Sequence, residues 1–120
     1  MYEDEERLLE MLAAARFLME IVAEHASYES FSTDRKGQYA VRGALQILGE
    51  AARRVTKRFR EQHPEVPWDQ IIGTRHRVVH EYVRVNWAIV WTTLTVHVPA
   101  LINGISPLIP PDSQLPLSFD

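Results

Sequence analysis

Hydrophobic positions recur at three- and four-residue steps through most of the chain, and no stretch alternates with the two-residue period of a strand. The first run, about Asp4 to His25, places Leu8, Leu12, Ala15, Leu18 or Met19, and Val22 on one stripe and predicts an amphipathic helix. Its carboxylates crowd the first turn, where the helix dipole favours negative charge. The polar stretch Ser27 to Asp34 offers Ser32, Thr33 and Asp34 as caps for a second helix over about Arg35 to Gln62. Val41, Leu45, Leu48, Ala52, Val55 and Phe59 set the period of that helix. Gly43 and Gly49 lie inside it, each weakening it by roughly 1 kcal/mol relative to Ala, so close approach of another backbone is the reason expected for them. His63 to Pro67 reads as a linker, with Pro67 suited to a first helical position, where its missing N–H costs nothing. A third helix is expected over about Pro67 to Tyr82, and a fourth, capped by Asn86, to about Gly104. Trp87, Val90, Trp91, Leu94, Val98, Leu101 and Ile105 form the apolar side of the fourth helix, and Pro99 should kink it or end its regular part. The expected fold is an all-α, four-helix, up-and-down bundle over residues 1–105. Pro107, Pro110, Pro111 and Pro116 make residues 106–120 an irregular tail, extended or disordered.

A chain of 120 residues suits one domain, small enough that self-association would help it. The formal net charge of -3 gives no support to a nucleic-acid coat protein, though a local basic patch remains compatible with it. With no cysteine, disulfides, thiolate zinc sites and cysteine nucleophiles are excluded. The acidic start Tyr2-Glu3-Asp4-Glu5-Glu6 is the reverse of a signal peptide, and no apolar run is expected to reach the length of a membrane span. A cytoplasmic protein without a membrane partner is the expectation.

Chemistry concentrates in Arg75-His-Arg-Val-Val-His80-Glu-Tyr82. Arg holds a phosphate in a bidentate fork, His moves protons near neutrality, and Tyr carries a hydroxyl that can be modified. On a helical wheel Gly73, Thr74, Arg77, Glu81 and Arg84 gather on the wet side, and Ile71, Ile72, Val78, Val79 and Val83 on the core side. Arg75 and Tyr82 fall within the apolar arc, with His76 and His80 along its border. An Arg so placed needs a partner. Arg75 and His80 are about 140° apart and roughly 7.5 Å along the axis, so they converge on one ligand most easily if a two-fold axis brings in a second copy of the helix. Upstream, Arg53, Arg54, Lys57, Arg58 and Arg60 make a basic segment. Its cations suit a helix C-terminus, and Arg53, Lys57 and Arg60 are also candidates for RNA or partner contact.

Arg75-His76-x3-His80-x-Tyr82, preceded by Pro67-Trp68-Asp69-x-Ile71-Ile72-Gly73, resembles the HEPN-domain toxins of the HepT-like group, ribonuclease partners of minimal nucleotidyltransferase antitoxins. The resemblance extends to Ile47-Leu48-Gly49-Glu50-Ala51-Ala52, Trp87-Ala88-Ile89-Val90-Trp91 and Val98-Pro99-Ala100-Leu101-Ile102, and so to nearly the whole chain before Gly104. It implies a homodimeric HEPN bundle and a metal-independent endoribonuclease that needs no cofactor. It places the functional Arg and His at Arg75 and His80, and a supporting polar position, often Asn in the family, at His76. The tyrosine that an antitoxin can modify with AMP falls on Tyr82, so the resemblance implies silencing by AMPylation there or by complex formation with the antitoxin. The reaction implied is attack of the ribose 2′-hydroxyl on the neighbouring phosphorus, as in the toxin of a type VII-like toxin–antitoxin pair.

Two other readings stay in view. His76-x3-His80 has the spacing of a two-histidine zinc helix, but Arg77 stands where a zincin carries its catalytic Glu. A HEPN scaffold could also bind RNA, a nucleotide or its antitoxin without cutting; intact Arg75 and His80 argue against that. His25, His63 and His97 are scattered and read as capping, loop or packing residues.

Overall fold

The computed structural model describes residues 2–80 and 84–111, and these contain helices, turns and coil with no strand. Helix α1 covers Tyr2–Ala23, α2 Tyr28–Ser32, α3 Arg35–Arg54, α4 Lys57–Gln62 and α5 Trp68–His80. A last rod is built from α6 (Trp87–Thr92), a π-helical turn (Thr93–His97), α7 (Val98–Ile105) and a 3-10 turn (Ser106–Leu108). The all-α bundle expected from the periodicity is the fold observed. Val41, Leu45, Leu48, Ala52 and Val55 are buried as the α3 stripe requires. The first helix is buried more widely than its stripe, since Met11, Ala14 and Ile21 join Leu8, Leu12, Ala15 and Leu18 in the core. It packs against α3 on one side and α7 on another.

Two cross-links at opposite ends make α1 and α3 antiparallel. At one end the buried Asp4 carboxylate accepts from Thr56 N (2.8 Å) and Thr56 Oγ1 (2.7 Å). At the other, His25 Nε2 lies 2.8 Å from Asp34 Oδ2, and His25 Nδ1 lies 2.6 Å from Ser30 Oγ. Asp34 also accepts from Gly37 N as the N-cap of α3. The Gly37 hydrogen bond first, and the His25 contact next, hold its carboxyl below the ordinary value of 3.8. His25 packs edge-on against Phe31 and Trp91, so it is a capping and packing residue, as expected.

Several boundaries differ from the sequence expectation. The polar stretch after α1 contains a short helix of its own, capped by Ser27, before Asp34 caps α3 as expected. The long second helix breaks at Val55, whose backbone is extended (φ -64°, ψ 137°). Asp4 claims the Thr56 N–H that a continuous helix would use, and the Thr56 hydroxyl then accepts from Phe59 N to start α4. Pro99 acts locally. It has no N–H and its ring crowds the carbonyl one turn back, and the helix widens into the π turn just before it, where Val98 N–H reaches Thr93 O. The expected tail begins as helix, since Ser106–Leu108 make a 3-10 turn and Ile109 is buried. Trp87–Leu108 is also a continuous helix of 22 residues holding an 18-residue stretch of mean hydropathy 1.4, long and apolar enough to cross a membrane, contrary to expectation. Its inner face, Val90, Leu94, Val98, Leu101 and Ile105, belongs to the protein core.

Candidate active site

Arg75 lies at the seam where α5 packs on α3. Gly49 makes that seam possible. A Cβ added to it would fall on Arg75 Cβ, within 2.9 Å of Cγ and 3.3 Å of Cδ. The close approach expected for a glycine in this helix therefore holds at Gly49, but not at Gly43, where a Cβ would meet nothing within 4 Å. Laid across Gly49, the Arg75 side chain is about one-quarter exposed, and its Nε is buried with no hydrogen-bond partner among the described residues. Its Nη2 stands 3.6 Å from Glu50 Oε2. Glu50 is the partner that an arginine on an apolar arc needs, and it is the site residue missed in the sequence. It also receives Arg53 Nη2 at 2.6 Å and Arg53 Nε at 3.3 Å. The Arg53 hydrogen bond first, and the charges of Arg53, Arg75 and Arg54 after it, hold the Glu50 carboxyl below its ordinary range. Glu50 in turn raises Arg53.

The seam continues along α3. A hollow of about 250 Å³ beside it is lined by Tyr39, Arg42, Gly43, Gln46 and Val78. The guanidinium carbons of Arg42 and Arg35 lie 5.4 and 6.0 Å from the centre of the exposed Tyr39 ring. Arg35, Tyr39 and Arg42 share a helix face by spacing alone, a signal that was legible in the sequence. Arg75, Arg53 and Arg42 thus line one seam, with Glu50 balancing the first two.

Other candidates lie apart. His76 and Arg77 are exposed. His80 ends α5 and its side chain lies outside the described residues, as does the whole of Tyr82. Lys57 and Arg60 line a different groove, with Glu61, Trp68 and Asp69. Lys57 Nζ is 3.8 Å from Glu61 Oε1. The basic segment of the sequence is therefore split, with Arg53 at the Arg75 seam and Lys57 and Arg60 beyond the bend. Among the described residues no group of three or more His, Asp or Glu could hold a metal ion.

Residues 11–108 match the family model described as ribonuclease HepT-like. A protein of Caldanaerobacter subterraneus subsp. tengcongensis named "Putative RNase" is 36% identical over 99 residues, 82% of this chain and 88% of its own. One of Thermococcus cleftensis named "Probable ribonuclease HepT" is 36% identical over 93 residues, 78% of this chain and 84% of its own. A "Putative RNase" of Methanocaldococcus jannaschii is 32% identical over 94 residues, 78% and 85% of the two chains. No solved structure matches the chain. With the family model and these relatives each spanning most of its length, the chain belongs to the HepT-like ribonuclease family.

Proposed function

We propose that this protein is a metal-independent endoribonuclease, the toxin of a pair whose antitoxin is a minimal nucleotidyltransferase, and that Arg75 and His80 carry the cleavage. The observation that supports it most is the state of Arg75, anchored over Gly49 and beside Glu50 with a buried Nε–H that no described residue satisfies. With its Nε enclosed, the quarter-exposed side chain can offer its terminal guanidinium nitrogens to a phosphodiester oxygen.

In this mechanism His80 takes the proton of the ribose 2′-hydroxyl. The 2′-oxygen bonds to the adjacent phosphorus and the P–O5′ bond breaks. The leaving 5′-oxygen receives a proton from the second protomer's histidine or from water, giving a 2′,3′-cyclic phosphate and a 5′-hydroxyl. Arg75 neutralises the charge that grows on the non-bridging oxygens as phosphorus becomes five-coordinate. His76 supports the phosphate side, and Arg53 adds positive potential to the RNA path. Lys57 and Arg60 sit where a longer RNA or a protein partner would pass.

The proposed assembly is a homodimer that brings two seams together, and three exposed apolar side chains favour it, Tyr39 at the seam and Phe17 and Ile47 in the neighbouring α1–α3 groove. Tyr82 is the proposed off-switch. AMP attached two residues beyond His80 would add a phosphate charge that competes for Arg75 and a nucleoside that blocks the RNA. Co-expression with a nucleotidyltransferase antitoxin, followed by intact mass, tests the switch. AMP additions that vanish in Tyr82→Phe support it, and an unmodified but silenced complex contradicts it. Sedimentation at micromolar concentration tests the dimer, which a monomer would contradict.

A further inference from the structure

A cleft of about 320 Å³ lies between α3, α5 and the π turn with α7, and it shares no lining residue with the hollow beside the Arg75 seam. That volume lies at the lower end of the range of small-molecule sites. Its apolar lining comes from three helices, Leu45 and Leu48 of α3, Ile71 of α5, and Val98 and Leu101 of α7. Its polar groups are Gln70, Thr74 and Arg77 on one wall and Thr93 and His97 on the other. Among the described lining residues there is an arginine and a histidine but no carboxylate, so the cleft favours an anion.

The wall opposite α5 is unusual in the sequence. Residues 85–111 contain no Asp, Glu, Lys or Arg, and His97 is their one ionisable side chain. It closes the π turn, and such turns often accompany functional sites. The two hydroxyls are already committed as donors, Thr74 Oγ1 to Gln70 O at 2.8 Å and Thr93 Oγ1 to Ile89 O at 3.1 Å. Donors for a ligand anion therefore come from Arg77, His97 and Gln70. The apolar lining is aliphatic, with no aromatic ring on which a nucleobase could stack.

We infer that this cleft binds a small anionic amphiphile, its carboxylate or phosphate head held by Arg77 and His97 and its aliphatic chain laid along Leu45, Leu48, Ile71, Val98 and Leu101. The site is separate from the seam that carries Arg75, and its occupancy does not depend on whether the protein cuts RNA.

Calorimetric titration of the full chain with octanoate and with octyl phosphate tests this, with octanol and uridine monophosphate as contrasting probes. Saturable binding of one octanoate or octyl phosphate per chain, with octanol weaker, is expected. The tighter of the two anions identifies the head group. Arg77→Gln should weaken binding about ten-fold, and His97→Gln should weaken it less. Thr74→Phe fills the cleft from its rim and should abolish binding while the variant still unfolds cooperatively near the wild-type temperature. The inference is overturned if neither anion binds at millimolar concentration. It is equally overturned if Arg77→Gln and Thr74→Phe leave affinity unchanged, or if uridine monophosphate binds more tightly than both anions.

Discussion

Replacing Gly49 with Ala tests the α3–α5 seam at its tightest point. The added methyl collides with Arg75 Cβ and Cγ, atoms next to the backbone, so α5 itself must move rather than the far end of a side chain. Overpacking of this kind costs up to about 3 kcal/mol, and the better helix propensity of Ala returns about 1 kcal/mol. The net loss is about 2 kcal/mol. At about 2.1 cal/mol/K per residue, 120 residues give an unfolding entropy of about 0.25 kcal/mol/K, so Tm should fall by about 8 °C. Gly73→Ala is the control. It lies inside α5 where a Cβ meets nothing within 4 Å, and it should raise Tm by about 4 °C. Circular dichroism melts at one fixed protein concentration read both, because any self-association would make Tm concentration-dependent. A Gly49→Ala protein as stable as Gly73→Ala would refute the close approach and the placement of Arg75 over it.

Three further outcomes are expected. Glu50→Ala removes the carboxylate beside Arg75 and should lower kcat/KM for RNA by roughly ten-fold through misplacement of the guanidinium, whereas Arg53→Ala, one contact further away, should cost less; equal or unchanged rates would oppose a positioning role for Glu50. Asp4→Ala strips the part-buried Thr56 N–H and hydroxyl of their acceptor and should cost about 2–3 kcal/mol, a fall of roughly 8–12 °C in the melting midpoint, so a change of a degree or two would contradict the clamp at the α3–α4 bend. Asp34 has a folded pKa below its ordinary value, so its stabilising effect is present above about pH 4 and lost as pH falls through the folded value; the Tm gap between wild type and Asp34→Ala should be full at pH 6 and shrink below pH 4, and a gap that grows on acidification would reverse the sign.

The period of the apolar residues carried the bundle, because burial of a stripe is a local property written every three or four residues. What it could not carry were effects that depend on residues far apart in the chain. The long second helix breaks at Val55 because Asp4, at the other end of the sequence, takes the Thr56 N–H. Likewise the partner of Arg75 proved to be Glu50, which the wheel of α5 alone could demand but not name. Gly49 and Gly43 look alike in sequence, and only packing distinguishes the glycine that lets Arg75 lie against α3 from the one that faces open space. Pro99 was legible as a disturbance but not as a π turn, since a kink, a stop and a widened turn all answer a missing N–H.

In the proposed reaction Arg75 and His80 cleave RNA without a metal. Its most direct test is single-turnover cleavage of a fluorescent RNA by wild type, Arg75→Ala and His80→Ala in the presence of EDTA, with folding of each variant checked by circular dichroism. Wild type should cleave in EDTA to a 2′,3′-cyclic phosphate, with losses of roughly 10²–10⁴-fold in each variant. Wild-type cleavage that stops in EDTA, or a folded variant that cuts at the wild-type rate, would contradict it.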